Sequence, residues 1–199
     1  MVNGIHQKTG LANRNEVLKL YQELKKKQKE LGRESMMGFV RYTKTDYDVQ
    51  WFHKLICAYL DMLERGEIKK LMIFIPPQHG KSELSSRRFP AYVLGRNPKT
   101  NIGVASYSGD LSMAFNRDCQ NIIDDDRYRD LFPDTYLNAV GAEDAKSEVR
   151  TKHLFETVKH KGFFKAVGVR GSLTGTPLDL GIIDDQFKDR AEANSAKTN

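Results

Sequence analysis

Over residues 15–31, apolar side chains recur as Val17, Tyr21, Leu24 and Leu31, with a break at Gln28, on an otherwise charged background. That spacing predicts an amphipathic helix, closed at Gly32 in "LGRES". Residues 50–63 predict a second one, with Phe52, Leu55, Ile56, Tyr59, Leu60 and Leu63 on the buried side and Trp51 in the core. After a turn in "ERGEIKK", the run "LMIFI" at 71–75 has the unbroken apolar character of a buried parallel strand. "SELSSRRFPAYVLG" predicts a helix interrupted near Pro90 and closed by Gly95. A strand follows at 101–108, "NIGVASYS". Next comes a helix with Asp110 as N-cap and Leu111, Phe115, Cys119 and Ile122 facing inward. "DDDRYRDLFPD" is a polar turn with one apolar anchor. Residues 148–169 predict antiparallel strands turning at Gly162, and "LDLGII" is a last buried strand ending at Asp184 and Asp185.

Strands alternating with helices indicate an α/β fold with a mainly parallel central sheet flanked by helices. On this plan the hairpin is an antiparallel β insertion. Residues 1–65 form an N-terminal helical appendage, and residues 66–199 form the core domain.

Composition changes this picture little. With 39% hydrophobic and 29% charged residues the chain is of globular type, and no apolar stretch reaches membrane-spanning length. The opening segment has no signal-peptide core. Cys57 and Cys119 stand apart from each other and from any clustered histidines, which points to reduced, buried thiols rather than a disulfide or a zinc site. Charge does add something. Most of the +6 surplus lies in residues 1–70, with 14 Lys/Arg against 9 Asp/Glu, and "KKKQKE" dominates it. Such a face either meets nucleic-acid phosphates or is a solvated helix surface.

The chemistry concentrates in "FIPPQHGKSELSSR". Gly80-Lys81-Ser82 follows a predicted strand and opens a predicted helix, the context of the phosphate-binding pattern G-x-x-x-x-G-K-[ST]. Ile75 occupies the first glycine position, and Pro76 and Pro77 offer stiffness in its place. Backbone N–H groups and the helix N-terminus would converge there on a phosphate. Gly80 would allow close approach, Lys81 would neutralise the β/γ-phosphates and the Ser82 hydroxyl would reach Mg²⁺. About a hundred residues on, Asp184 is placed to hold Mg²⁺ and Asp185 to orient or deprotonate a water. Together these halves predict a P-loop NTPase of the ASCE type, binding ATP and Mg²⁺ through residues 77–83, with Pro77, Gln78, His79, Gly80, Lys81, Ser82 and Glu83 as the contact set. Gln50 and His53, and more weakly Tyr47, precede the loop at a spacing that suits either an adenine contact or a polar helix face. Ser106 and Ser108 are turn or N-cap residues, or they reach ligand. Thr174 and Thr176 are backbone-bonding turn residues.

The blocks "IPPQHGKSELSSRRFPAYVLGRNP", "VASYSGDLSMAFNRDCQNII", "DLFPDT", "FKAVGVRGSLTGTPLDLGIIDD" and "QFKDRAEA" occur in that order. From about residue 51 to 189 the chain resembles the ATPase domain of the large terminase subunit of tailed bacteriophages. The resemblance implies a deviant Walker A loop at 77–82 and a Walker B pair at Asp184 and Asp185, with hydrolysis coupled to translocation of double-stranded DNA. It further implies a ring of copies on the portal protein, a small terminase subunit as partner, action in the host cytoplasm with no membrane, and a nuclease domain beyond residue 199. Two departures stand out: Gln78 and His79 lie where related loops often carry arginine, and Asp185 replaces a longer glutamate. Arg170, in the glycine-flanked "GVRGSLTG", either reaches a neighbouring subunit's site as a trans-acting arginine or binds a local carboxylate. A helicase-like or repair ATPase remains an alternative, as does a DNA-binding assembly module with a weak nucleotide site.

Overall fold

The computed structural model describes residues 13–138, 149–168, 171, 173 and 175–185. Six α-helices and four strands are defined among them: α1 (Arg14–Glu34), α2 (Met36–Thr43), α3 (Trp51–Glu64), α4 (Phe89–Arg96), α5 (Gly109–Asp124) and α6 (Asp126–Leu131), with β1 (Asn101–Ser106), β2 (Leu154–Glu156), β3 (Phe163–Gly168) and β4 (Leu180–Asp184). The strands form one mixed sheet in the order β2-β3-β1-β4. Strand β1 is parallel to both β3 and β4, and β2 runs antiparallel to β3. The fold is therefore α/β. The expected hairpin exists, but β3 joins the parallel sheet beside β1 and so is part of the sheet itself.

Register places Ser106 level with Asp184 and extends through the Tyr107 N–H, which donates to the Asp185 carbonyl at 2.9 Å. The Ser108 hydroxyl accepts the Leu111 N–H and starts α5, so Ser108 and not Asp110 is the N-cap; Asp110 lies in the first turn. Helix α5 buries Phe115, Asn116, Cys119 and Ile123. Asn116 donates to the Phe164 carbonyl, tying the helix to β3. Behind the sheet, Phe39 of α2 lies 5.5 Å from Tyr92 of α4 and 6.0 Å from Tyr128 of α6, ring centre to ring centre. Tyr128 satisfies its buried hydroxyl on the Ala91 carbonyl at 2.9 Å. Cys57 and Cys119 are both buried and free.

Several expectations are corrected. Gly32 does not end α1. It is buried within the helix, where Leu131 and Tyr42 approach so closely that a larger side chain would press on them. The chain restarts at once as α2, capped by Ser35, whose hydroxyl accepts the Gly38 N–H. The apolar stripe of α1 (Val17, Tyr21, Leu24, Leu31) is about half exposed, since the helix is anchored near its C-terminal end, where the Arg33 Nε–H donates to the Leu131 carbonyl at 2.7 Å. In α3 the buried face is His53, Ile56, Cys57, Leu60 and Asp61; Trp51 is 74% exposed, and Leu55 and Tyr59 also face outward. The polar turn "DDDRYRDLFPD" contains α6, with Tyr128 and Leu131 buried. The interruption before Pro90 is a π-helical turn, Glu83–Arg88, whose wide hydrogen bonding lets Pro90 enter α4 within its first turn.

The run 71–75 is the largest departure. Leu71, Ile73 and Ile75 lean on the core, while Met72 is 79% and Phe74 86% exposed. Among the described residues, no backbone hydrogen bond links this segment to a strand. A strand assignment needs a neighbour about 5 Å away. Here a cavity of about 940 Å³ separates residues 68–74 from 179–183, on the side of β4 where Ile183 is 70% exposed. No helix among the described residues is long and apolar enough to cross a membrane.

Candidate functional site

The 71–75 segment and β4 deliver their last residues to the same place. The loop after residue 75 turns through two positive φ angles, 65° at Gln78 and 76° at Gly80. A side chain at Gly80 would meet the Tyr47 hydroxyl at 2.5 Å and His53 Nε2 at 3.0 Å. Both the backbone angle and the packing beneath it therefore demand glycine.

The support under the loop comes from the segment between α2 and α3. The Gln50 N–H donates to His53 Nδ1 at 3.0 Å, so the ring proton sits on Nε2, which donates to the His79 carbonyl at 3.1 Å. In turn His79 Nδ1–H donates to the Pro77 carbonyl at 2.7 Å. The Tyr47 ring lies 5.0 Å from that of His53, and its buried hydroxyl has no hydrogen bond among the described residues. Burial, and then the nearby Glu83 carboxylate, push the Tyr47 phenol up to about 12, so it stays protonated.

Above the loop, Lys81 Nζ lies 2.6 Å from Asp185 Oδ1 and 3.1 Å from Asp184 Oδ1. Partial burial pulls the ammonium's pKa down, but the hydrogen bonds and charges of Asp185 and Asp184 outweigh it, and the pKa is raised. The Asp184 carboxylate is 3% exposed and takes the Ser86 hydroxyl on its other oxygen at 2.7 Å. Asp185 is solvent-facing and sits at φ 48°. The Ser85 hydroxyl closes onto the Lys81 carbonyl at 2.9 Å, and the Leu84 N–H donates to the Gly80 carbonyl at 3.0 Å. An ammonium held by two carboxylates marks a place of negative potential. With the Ser82 hydroxyl nearby in the loop, the donors there are all hard oxygens, a set that suits Mg²⁺.

Lys81, Ser82 and Asp185 line a cavity of about 380 Å³ whose walls are residues 75–78 and 80–83, Asp185 and Arg87; Asp184 stands behind it, reached through Lys81. Arg87 escaped the sequence reading. Its Nε–H donates to Asp118 at 2.7 Å and its guanidinium lies 4.9 Å from the centre of the Phe115 ring. Only the basic pair in "SSRR" signalled it, and nothing in the pair says which arginine faces the cavity.

The remaining candidates are placed as follows. Glu83 borders the cavity, but its carboxylate is engaged by Arg88 at 2.7 Å and Lys44 at 3.4 Å. Burial raises the Glu83 pKa and these cations outweigh it, so the carboxyl sits below its usual range. Gln50 is not among the residues lining this cavity, and its side-chain amide donates to Asp48 at 2.8 Å. His53 is buried with both ring nitrogens engaged. Ser106 donates to the Ser108 carbonyl at 2.7 Å, and Ser108 caps α5. The Thr176 N–H makes a turn onto the Leu173 carbonyl. Arg170 and Thr174 lie outside the described residues.

Residues 72–199 match the family described as Terminase large subunit, T4likevirus-type, N-terminal. No curated protein and no solved structure matches the chain.

Proposed function

This chain belongs to the terminase large-subunit family of the T4-like type, and from that premise we propose that its cavity is the ATP site of a DNA-packaging motor. The carrying observation is Lys81 held between Asp184 and Asp185 at the mouth of a loop-walled cavity. On this reading the domain is a P-loop ATPase, with residues 77–82 as Walker A and Asp184–Asp185 as Walker B. Residues 1–65 act as a helical appendage to the core at 66–199.

Lys81 leaves the carboxylates for the β/γ-phosphates when nucleotide enters, exchanging one set of anions for another. Ser82 and Asp184 hold the Mg²⁺, which when bound neutralises charge on the phosphate oxygens. Ser86 keeps Asp184 oriented through its second oxygen. Asp185, exposed and free to turn once Lys81 departs, orients the attacking water and accepts its proton. Hydrolysis drives double-stranded DNA into the procapsid from a ring of copies on the portal protein, with the small terminase subunit as partner, in the host cytoplasm. A cavity of about 860 Å³ between α1, α2 and α6, rimmed by Lys25, Lys26, Lys29, Arg41 and Arg127, supports contact with a polyanion.

The test pairs Lys81→Ala with Asp185→Asn in a titration with a fluorescent ATP analogue beside a phosphate-release assay. Lys81→Ala should abolish binding, and Asp185→Asn should bind but not turn over. If both variants bind and hydrolyse like the unaltered chain, the site lies elsewhere.

A further inference from the structure

We propose that Arg87 is a second phosphate-binding cation of this cavity, contacting the polyphosphate of a nucleoside triphosphate from the helix that follows the loop. The inference rests on the nucleotide-site reading above and assigns within it a residue that the phosphate-loop pattern does not contain.

The cationic side chains at the cavity are few. Residues 76–80, Pro-Pro-Gln-His-Gly, include no lysine or arginine. Lys81 contributes one positive charge and faces two carboxylates, Asp184 and Asp185. Asp184 and Asp185 thus offset Lys81 among the protein's own groups, and the loop itself brings no further charge to meet the several negative charges of a polyphosphate. Among the described residues, Arg87 is the other cation in the cavity wall. Its partner Asp118 is not among the lining residues, so the counter-charge lies behind the guanidinium and away from the cavity.

The local backbone explains how Arg87 gets there. In the turn Glu83–Arg88 the hydrogen bonding is one residue wider than in an α-helix; the Phe89 N–H donates to the Leu84 carbonyl. Such a turn brings Arg87 close to the same side as Ser82, five residues earlier, where an α-helix would carry it well round the axis. The adjacent Arg88 is used differently. It is buried, with Nε on Glu83 at 2.7 Å and Nη1 on Thr43 at 2.7 Å.

The side chain is also preorganised. Nε is fixed on Asp118, and the guanidinium packs on the Phe115 ring. Nη1 and Nη2 make no hydrogen bond among the described residues, which leaves the end of the fork with its donors to offer. A guanidinium held at its stem and open at its tip is suited to two phosphate oxygens and loses little freedom on binding them.

Arg87→Met keeps a stem to pack on Phe115 and removes the charge, and Arg87→Lys restores charge without the fork. Each is compared with the unaltered full chain by competition against a fluorescent ATP analogue, using ATP, AMP and inorganic tripolyphosphate with Mg²⁺. Melting temperature and circular dichroism confirm the fold. Arg87→Met should weaken ATP and tripolyphosphate about tenfold or more and leave AMP within about twofold, as loss of a charge-assisted phosphate contact requires. Arg87→Lys should fall between. Should methionine destabilise the chain, Arg87→Gln, which retains a donor for Asp118, is expected to show the same selective loss. Tripolyphosphate binding undiminished in folded Arg87→Met or Arg87→Gln, while Lys81→Ala has lost it, overturns the role of Arg87 alone. No binding of ATP or tripolyphosphate by the unaltered chain overturns the nucleotide reading itself.

Discussion

Gly80→Ala tests the floor of the site. The substitution meets two separate obstacles. At φ 76° an L-residue pays a backbone penalty of about 1–2 kcal/mol. Its Cβ would also lie 2.5 Å from the Tyr47 hydroxyl and 3.0 Å from His53 Nε2. Neither neighbour is a loose end: the Tyr47 ring packs at a tilt against His53, 5.0 Å centre to centre, and His53 is pinned by Gln50 and His79. Overpacking of this kind costs about 1–3 kcal/mol. The sum, about 2–5 kcal/mol, is a large part of the stability of a typical domain. Urea unfolding should therefore show a clearly lower midpoint for Gly80→Ala, with weaker binding of an ATP analogue because the loop is displaced. The informative comparison is the same substitution in a Tyr47→Phe background. Removing the hydroxyl relieves the closer contact and leaves the backbone penalty, so part of the loss should return. Tyr47→Phe alone should be neutral or stabilising, since it deletes a buried hydroxyl with no partner among the described residues. An equal cost of Gly80→Ala in both backgrounds, or no cost at all, would refute the placement of Tyr47 beneath the loop.

His53→Ala removes the acceptor for the Gln50 N–H and the donor to the His79 carbonyl, and should cost about 2 kcal/mol in urea unfolding. ATP affinity should fall more than turnover at saturation, because the loop loses its support while Lys81 and Asp185 remain; unchanged affinity would show that His53 serves α3 alone. Asp61→Asn should stabilise the chain at neutral pH. Burial raises the Asp61 carboxyl above 3.8, more than the Met36 N–H at 2.7 Å and Arg65 lower it. A raised carboxyl contributes stability below 3.8 and loses it as pH rises through its folded value. The asparagine oxygen can still accept from Met36 without carrying charge. Melting temperatures measured from pH 4 to 7 should show the advantage of Asp61→Asn largest at pH 7 and closing toward pH 4; a variant less stable at pH 7 would contradict this.

Features set by local chemistry were legible in the sequence. The helices around residues 15–31 and 50–63, the strand read at 101–108 and the strand ending at Asp184 all follow from periodicity and turn residues, and the structure forms each of them, the first strand stopping at Ser106 because Ser108 caps α5. The sequence reading placed Gly80, Lys81, Ser82, Asp184 and Asp185 in one locus, and they do meet. Features that depend on a distant neighbour were not legible. The run 71–75 is apolar enough for a buried strand, but whether its backbone pairs depends on what stands beside it, and here the facing edge of β4 is separated from it by a cavity. Likewise, the stripe on α1 shows an apolar side and says nothing about what covers it.

Arg87 and Arg88 show the same limit at the scale of one residue. Side by side in sequence, they have the same charge, reach and helix propensity, and an ideal 100° step would place them on neighbouring faces of one helix. The wide turn at 83–88 changes the outcome. It directs Arg88 inward to Glu83 and Thr43, where it joins α2 to the helix, and leaves Arg87 at the wall of the cavity beside Lys81. A π-turn has no strong residue code, because it arises when packing on both sides of a helix cannot be met with α spacing. Here those sides are Leu84 and Phe89 in the core, and Ser86 on the buried Asp184 carboxylate. Both demands come from parts of the chain far from residue 87 in sequence. Ser86 and Arg87 are both residues of this turn, so the orientation of the Asp184 carboxylate and the proposed second cation depend on the same stretch of wide-bonded backbone.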